Sequence, residues 1–290
     1  MTEILVPLPV GQALFQGAAA LTDVSDSPQL DSQLLLGQVI GQSRSWLLSH
    51  SLDLLSESQV QGYEALLQRR AQGEPVAYLL GTQGFWDMDL AVTAATLIPR
   101  PETELLVEVL LTLPEAPAFC LMDLGTGTGA IAIAIQRERR HWNVCATDKS
   151  AAALAVAQNN ANACGTPGIA FIEADWLKPV RTQSLDIIVA NPPYIEPDDV
   201  HLRHLSYEPQ QALVAADAGF ADLYAILQQA TRCLRPGGHL LLEHGYHQQV
   251  KLEQRLRALK FTNIQCYADL NQQPRAIMAS WPGSKQDHLS

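Results

Sequence analysis

The chain has 290 residues, 47% of them hydrophobic, and a net charge of −11. That length suits one large domain or a core domain with a smaller companion, and the apolar fraction excludes a disordered chain. The acidic balance weighs against direct nucleic-acid binding as the main activity, and no apolar run is long enough to span a bilayer.

Residues 1 to about 75 read as helical. Ser27-Pro28 reads as an N-cap with proline in the first helical position, and Leu34, Leu35, Val39 and Ile40 follow on one face. Ser56-x-x-Gln59 has capping-box spacing, with Val60, Tyr63, Leu66 and Leu67 behind it at helical spacing. Arg69, Arg70, Gly73 and Pro75 then supply a C-terminal charge, a glycine and a stop. Residues 1–78 are therefore expected to form a small N-terminal helical bundle. The loose alternation from Gly81 to Thr93 predicts a β-hairpin turning around Asp87-Met88-Asp89, the core of a linker over 79–96. Leu97 to Glu104 leads into a helix over 105–113.

From residue 118 the pattern alternates strand and helix. Strands are expected over 119–123, 143–148, 169–173, 185–190 and 240–243, with two late strands near 264–267 and 276–280. Helices are expected over 131–139, 150–163, 222–234 and 251–259, the third closed by Pro236-Gly237-Gly238. Residues 97–290 thus read as an α/β domain, a mostly parallel sheet with helices on both faces. Ligands in such sheets bind beyond the strand C-termini at the switch point.

Two motifs fall at that edge. Asp123-Leu124-Gly125-Thr126-Gly127-Thr128-Gly129-Ala130 follows a strand and opens a helix, where glycines let a ligand approach the backbone. Asp148 ends the next strand, placed to bond ribose hydroxyls. Gly125-x-Gly127-x-x-Ala130 also satisfies the dinucleotide pattern. Asp123, before the glycines, and Asp175-Trp176, after the third strand, favour S-adenosylmethionine. The carboxylate of Asp123 can order the loop or meet that cofactor's cationic end, and the acid and indole can hold an adenine edge and face. Trp176 as ordinary core is the alternative. No P-loop lysine is present.

The second motif, Asn191-Pro192-Pro193-Tyr194, closes an apolar strand. The Asn191 side-chain oxygen and the Pro192 carbonyl can each accept one N–H of a planar NH2 group. Tyr194 can lie over its face, and the two prolines stiffen the turn and remove competing donors. Such a slot suits chemistry on an amide or exocyclic amine nitrogen.

The five cysteines are scattered and form no C-x-x-C pair, which predicts free thiols in a reducing cytoplasm and no metal site. Met1-Thr2-Glu3-Ile4 shows no secretory signal pattern. His201/His204 and His244/His247 share i, i+3 spacing without completing a ligand set. The basic clusters, Arg69-Arg70 and Arg137, Arg139 and Arg140, fall near predicted helix C-termini, where cations complement the dipole.

Taken together, the glycine loop and Asn-Pro-Pro-Tyr resemble the class I S-adenosylmethionine-dependent methyltransferases that modify amide or exocyclic nitrogens. Ile98-Pro99-Arg100-Pro101-Glu102-Thr103-Glu104 narrows the resemblance to the release factor glutamine methyltransferases, the PrmC or HemK family. The resemblance covers essentially the whole chain. It implies a Rossmann-like methyltransferase sheet behind a helical bundle and hairpin linker. It implies methylation of N5 of the glutamine in the Gly-Gly-Gln motif of class I peptide chain release factors, in the cytoplasm. Gly125, Thr126, Gly127, Thr128 and Gly129 would line S-adenosylmethionine. Asp148 would take the ribose and Trp176 the adenine region. Asn191, Pro192, Pro193 and Tyr194 would hold the glutamine, with Asn191, Pro192 and Tyr194 carrying the chemistry and Asn191 also touching the cofactor. Ser206-Tyr207-Glu208-Pro209 would wall the substrate site. A ribosomal-protein glutamine, a nucleic-acid exocyclic amine, or a non-catalytic cofactor-binding module are the competing readings.

Overall fold

The computed structural model describes residues 7–115 and 118–283; Met1–Ile4, read above for a signal, lie outside the described residues. The chain divides into two compact units between Thr82 and Gln83. In the first, helices α1 (Val10–Ala20), α2 (Pro28–Ile40), α3 (Arg44–Ser49), α4 (Glu57–Ala71) and α5 (Val76–Leu80) surround a core that includes Leu35, Leu36, Leu47, Val60 and Tyr63. A two-residue bridge that periodicity did not predict pairs β1 (Leu8–Pro9) with β2 (Leu54–Leu55).

The local signals act as their chemistry predicts, with two differences. Ser56 and Gln59 form the reciprocal capping box at the start of α4. Ser27 sits at the N-cap of α2, but its side chain makes no cap bond; Ser25 Oγ instead accepts from the Ser27 N–H and donates to Asp31. Arg69 and Arg70 serve ion pairs as well as the helix terminus. Arg69 pairs with Glu74 at 2.6 Å, and Arg70 pairs with the buried Asp31 at 2.8 Å.

The second unit is built on a seven-stranded sheet. Its strands are β5 (Cys120–Leu124), β6 (Asn143–Asp148), β7 (Ala170–Glu173), β8 (Leu185–Ala190), β9 (Leu234–Glu243), β10 (Thr262–Ala268) and β11 (Pro274–Ser280). The order across the sheet is β10-β11-β9-β8-β5-β6-β7, and β11 alone runs antiparallel to both its neighbours. The chain winds outward from β5 through β6 to β7, then crosses back to β8 on the other side of β5. That reversal opens a crevice beyond the C-termini of β5 and β8. Helices α6 (Glu104–Leu111), α7 (Ala130–Glu138), α8 (Ala151–Ala163), α9 (Ala221–Cys233) and α10 (Gln249–Ala258) pack on the sheet. Residues Ala130 to Ile135 of α7 are all buried, the small–large repeat fitting the helix tightly against the sheet.

The hairpin pairs β3 (Thr82–Phe85) with β4 (Met88–Ala91), so its turn is Trp86-Asp87, earlier than the Asp-Met-Asp run suggested. Trp86 takes a left-handed φ of 57°, held by its N–H to Glu104 (2.7 Å) and its indole N–H to Glu138 (2.9 Å). Phe85, Met88 and Leu90 are buried in the same core as α6 and α7. Strand β9 also starts earlier than expected, at Leu234. Pro236-Gly237-Gly238 does not separate helix from strand, because Gly237 and Gly238 exchange backbone bonds with Trp281 (2.6 and 2.7 Å). Among the described residues no helix is long and apolar enough to cross a membrane.

Candidate active site

Register places the site. Thr147 pairs with Leu124, Leu124 with Ala190, and Ala190 with Leu242. The residues that follow these four (Asp148, Gly125, Asn191 and Glu243) therefore stand in one row along the sheet's C-terminal edge. Glycine loop, ribose-type acid and Asn-Pro-Pro-Tyr, separate in sequence, are neighbours because their strands are.

A cleft at this edge is lined by Thr96, Leu97, Gly125, Gly127, Asp148, Asp175, Trp176, Asn191 and Pro193, among others. The cleft is open to solvent, and its empty volume with that open mouth included is about 640 Å3. At Gly127 a β-carbon would meet no atom within 4 Å, so bare backbone faces open space there. At Gly125, with φ of 67°, a β-carbon would stand 3.1 Å from the Trp176 ring, so glycine lets the indole lie against the loop. Trp176 is itself half-buried, and its N–H donates to Asp222 at 3.2 Å. Asp175 lines the cleft and pairs with Lys178.

The remaining loop residues build the loop from below. Thr126 and Thr128 are buried, and neither lines the cleft. Thr126 Oγ1 donates to Asp123 Oδ2 at 2.6 Å, and the Thr128 carbonyl accepts from Asn160 Nδ2 at 2.9 Å. Gly129 lies against Ile133 and Ala157, where a β-carbon would be 2.9 Å from Ile133 Cδ1. Of the five loop residues, Gly125 and Gly127 line the cleft. Asp148 accepts from the N–H groups of Gly127 (3.0 Å) and Ser150 (2.9 Å), fixing the mouth of the loop to the end of β6. Asp123 is buried beneath. Burial pushes its carboxyl up to about 7, against the bonds from Thr126 and Ala132, and its Oδ1 has no hydrogen-bond partner among the described residues.

A second cavity shares Leu97, Asn191, Pro193 and Ala212 with the first and adds Arg100, Pro192, Tyr194, Leu205 and Glu243. Asn191 and Pro193 therefore form a wall common to both spaces, while Pro192 and Tyr194 face only the second. Behind this wall lies a buried polar chain. Asn191 Nδ2 donates to Thr103 Oγ1 (3.0 Å), Thr103 Oγ1 donates to Glu243 Oε2 (2.8 Å), and the Tyr194 hydroxyl donates to Glu243 Oε1 (3.1 Å). Burial raises the Tyr194 hydroxyl, and the Glu243 charge adds to that rise. Arg100 reaches the buried Glu208, which also accepts from the Ile98 N–H at 3.0 Å. The Arg100–Glu104 run and the Ser206–Pro209 stretch are thus joined through one ion pair.

Thr103, Glu208, Glu243 and Asn160 are residues that the motifs did not single out for these contacts. Glu243 did carry a signal: an acid ending the apolar run Leu240-Leu241-Leu242 at the ligand edge. His244 is buried, with Nδ1 bonded to the Gly245 carbonyl at 2.9 Å. The side chains of His201 and His204 lie outside the described residues. Among the described residues no cluster of potential metal ligands occurs.

Residues 12–81 match the PrmC N-terminal domain family and residues 101–271 the methyltransferase small domain family. The chain is 40% identical over 276 residues to a release factor glutamine methyltransferase of Shewanella oneidensis, covering 94% of this chain and 96% of that one. It is 43% identical over 267 residues to one of Yersinia pestis, covering 91% and 96%. A methyltransferase from Pyrococcus furiosus shares the fold at 15% identity, with a TM-score of 0.52 over 75% of this chain and 98% of that one. The chain belongs to the release factor glutamine methyltransferase family and is an S-adenosylmethionine-dependent methyltransferase.

Proposed function

We propose that this protein methylates N5 of the glutamine in the Gly-Gly-Gln motif of class I peptide chain release factors. The observation that carries the reading is the shared wall. Asn191 and Pro193 border both the glycine-loop cleft and the cavity lined by Pro192 and Tyr194. A donor bound on one side and an amide held on the other would meet across it.

The cleft residues fit S-adenosylmethionine. Gly125 and Gly127 bring backbone to the cleft, and the Trp176 indole offers a flat apolar surface for the adenine. Each Asp148 oxygen accepts one N–H and keeps a lone pair for a ribose hydroxyl. Asp123 does not line the cleft; buried beneath it, one of its oxygens orders the loop through Thr126. When bound, the sulfonium supplies a methyl group already activated for attack, so the protein's task is mostly positioning.

The amide nitrogen is a weak nucleophile because its lone pair is delocalised into its carbonyl. Asn191 gives its own NH2 to Thr103, which leaves Oδ1 as the amide atom for the slot. Oδ1 and the Pro192 carbonyl accept the two N–H groups of the substrate, and these bonds strengthen as positive charge develops on nitrogen. Tyr194, tethered by its hydroxyl, would fix the plane of the amide. The released proton can pass to solvent.

Purified protein incubated with labelled S-adenosylmethionine and, separately, a class I release factor, a ribosomal-protein mixture and DNA tests the assignment. Label on the Gly-Gly-Gln glutamine of the release factor is expected. Label confined to ribosomal protein or DNA, or none at all, would refute it. An Asn191→Ala variant should bind the cofactor normally and lose most turnover.

A further inference from the structure

A side-chain amide can present either its oxygen or its NH2 to a ligand, and only its other contacts decide which. For Asn191 the choice is critical. Turned one way it accepts from a substrate NH2; turned the other way it opposes one donor with another. Nothing in Asn-Pro-Pro-Tyr itself makes that choice.

The residues behind the slot do. Glu243 is 1% exposed, at the end of β9, and each of its oxygens faces one hydroxyl: Thr103 at 2.8 Å and Tyr194 at 3.1 Å. A hydroxyl has one proton. When Glu243 is ionised, the Thr103 proton is directed at its carboxylate, and Thr103 Oγ1 can only accept from its remaining neighbour, Asn191, 3.0 Å away. Its neighbour atom must then be the NH2. Thr103 is itself 6% exposed, so water does not readily replace it as the partner.

We propose that Thr103 and Glu243 are positioning residues that fix the orientation of the Asn191 amide, Glu243 setting the direction of the Thr103 hydroxyl and Thr103 holding the Asn191 NH2 away from the slot. The same carboxylate anchors Tyr194, so one buried group sets two walls of the acceptor site. Selectivity for a carboxamide over a carboxylate follows. A glutamate acceptor offers only oxygens to a slot whose oriented atoms are also oxygens, and like acceptors repel.

The proposal rests on the slot reading above, and the test separates the two. Thr103→Val keeps the shape and removes the hydroxyl; Thr103→Ser keeps the hydroxyl. Each is assayed with release factor, and with a release factor whose acceptor glutamine is replaced by glutamate, used as a competitive inhibitor. Thr103→Val is expected to lose about 100-fold in kcat, the scale of a misoriented reacting group. Its cofactor affinity should stay within about twofold, as no cleft contact is removed. Its preference for the glutamine form over the glutamate form should shrink by at least about tenfold, because the freed amide can turn its NH2 to the carboxylate. Thr103→Ser should restore both kcat and preference. A general loosening of the fold would lower kcat without improving relative binding of the glutamate form. Thr103→Val with near-normal kcat, or an unchanged glutamine-to-glutamate preference, overturns the relay while leaving the slot reading intact, provided Asn191→Ala is inactive. Normal turnover by Asn191→Ala overturns both. If Thr103→Val does not fold, Thr103→Ala carries the same comparison.

Discussion

Asn160 and Ala91, 69 residues apart in sequence, exchange two hydrogen bonds: the Ala91 N–H donates to Asn160 Oδ1 at 2.8 Å, and Asn160 Nδ2 donates to the Ala91 carbonyl at 3.0 Å. The same Nδ2 also donates to the Thr128 carbonyl at 2.9 Å. One buried amide in α8 thus ties the outgoing strand of the hairpin to the glycine loop. Asn160→Ala leaves these backbone groups short of partners and should cost about 1–3 kcal/mol. Asn160→Asp should cost more, because an acceptor-only carboxylate would then face two carbonyl oxygens. Urea denaturation of the three proteins checks the order; an Asp variant as stable as wild type contradicts the contact.

Asp148 is expected to act on cofactor binding twice over, through the ribose and through the Gly127 N–H it already holds. Asp148→Ala should weaken S-adenosylmethionine by about 1.5–3 kcal/mol, or roughly 10- to 150-fold, the range for hydrogen bonds to a charged group. Calorimetry on the purified variant measures this directly. Unchanged affinity would remove Asp148 from the site.

The fold was legible where local periodicity and sheet pairing agree. The capping box at Ser56 and the strand ending at Ala190 were both plain in the sequence, the latter because six apolar-rich residues run straight into a Pro-Pro turn. The position of the site was legible for the same reason, since the loops that follow parallel strands share an edge. Its rear wall was not. Thr103 lies 88 residues from Asn191 and 140 from Glu243, and a bond over that distance leaves no spacing to read. The hairpin turn misled because Asp87-Met88-Asp89 has turn composition, whereas the left-handed residue is Trp86, held there by Glu104 and Glu138. Pro236-Gly237-Gly238 misled because glycines read as breakers also serve within a strand where its pairing is irregular, as here between β9 and β8.

Glu243 gives the stability a pH dependence of definite sign. Burial raises its carboxyl from 4.5 to about 7, against the Thr103 bond, the Arg275 charge and the Tyr194 bond, with Glu102 pushing it further up. The folded chain therefore keeps a proton that the unfolded chain has released. The stability this contributes is complete below 4.5 and is lost as pH rises through about 7. Asp123 acts in the same direction. His239 and His244, lowered mainly by burial, oppose it by favouring the folded chain as pH rises. The comparison must therefore be wild type against Glu243→Gln, in which the shared groups cancel. Between pH 5 and 7 the stability of Glu243→Gln should fall less steeply, by up to about 1.4 kcal/mol per pH unit. Parallel curves from denaturation at pH 5, 6 and 7 would mean that Glu243 is ionised throughout.

Gly219 is the point where backbone conformation meets the acceptor slot. Asp217, Ala218 and Gly219 all take left-handed φ values of 54°, 51° and 80°, and a β-carbon at Gly219 would stand 2.3 Å from the Tyr194 carbonyl oxygen. Gln248 Nε2 donates to both carbonyls, Gly219 at 3.1 Å and Tyr194 at 3.3 Å, and so locks the turn to the end of the slot. Gly219→Ala adds left-handed strain of about 1–2 kcal/mol and must also displace Tyr194. It should lower both stability and turnover on release factor. Cofactor affinity should hold, because Gly219 does not line the glycine-loop cleft. Ala218→Gly, one residue earlier, relieves the same kind of strain without touching Tyr194, and should raise stability by up to about 1 kcal/mol with activity unchanged. If both variants lost activity alike, the turn would matter to turnover for a reason other than its contact with Tyr194.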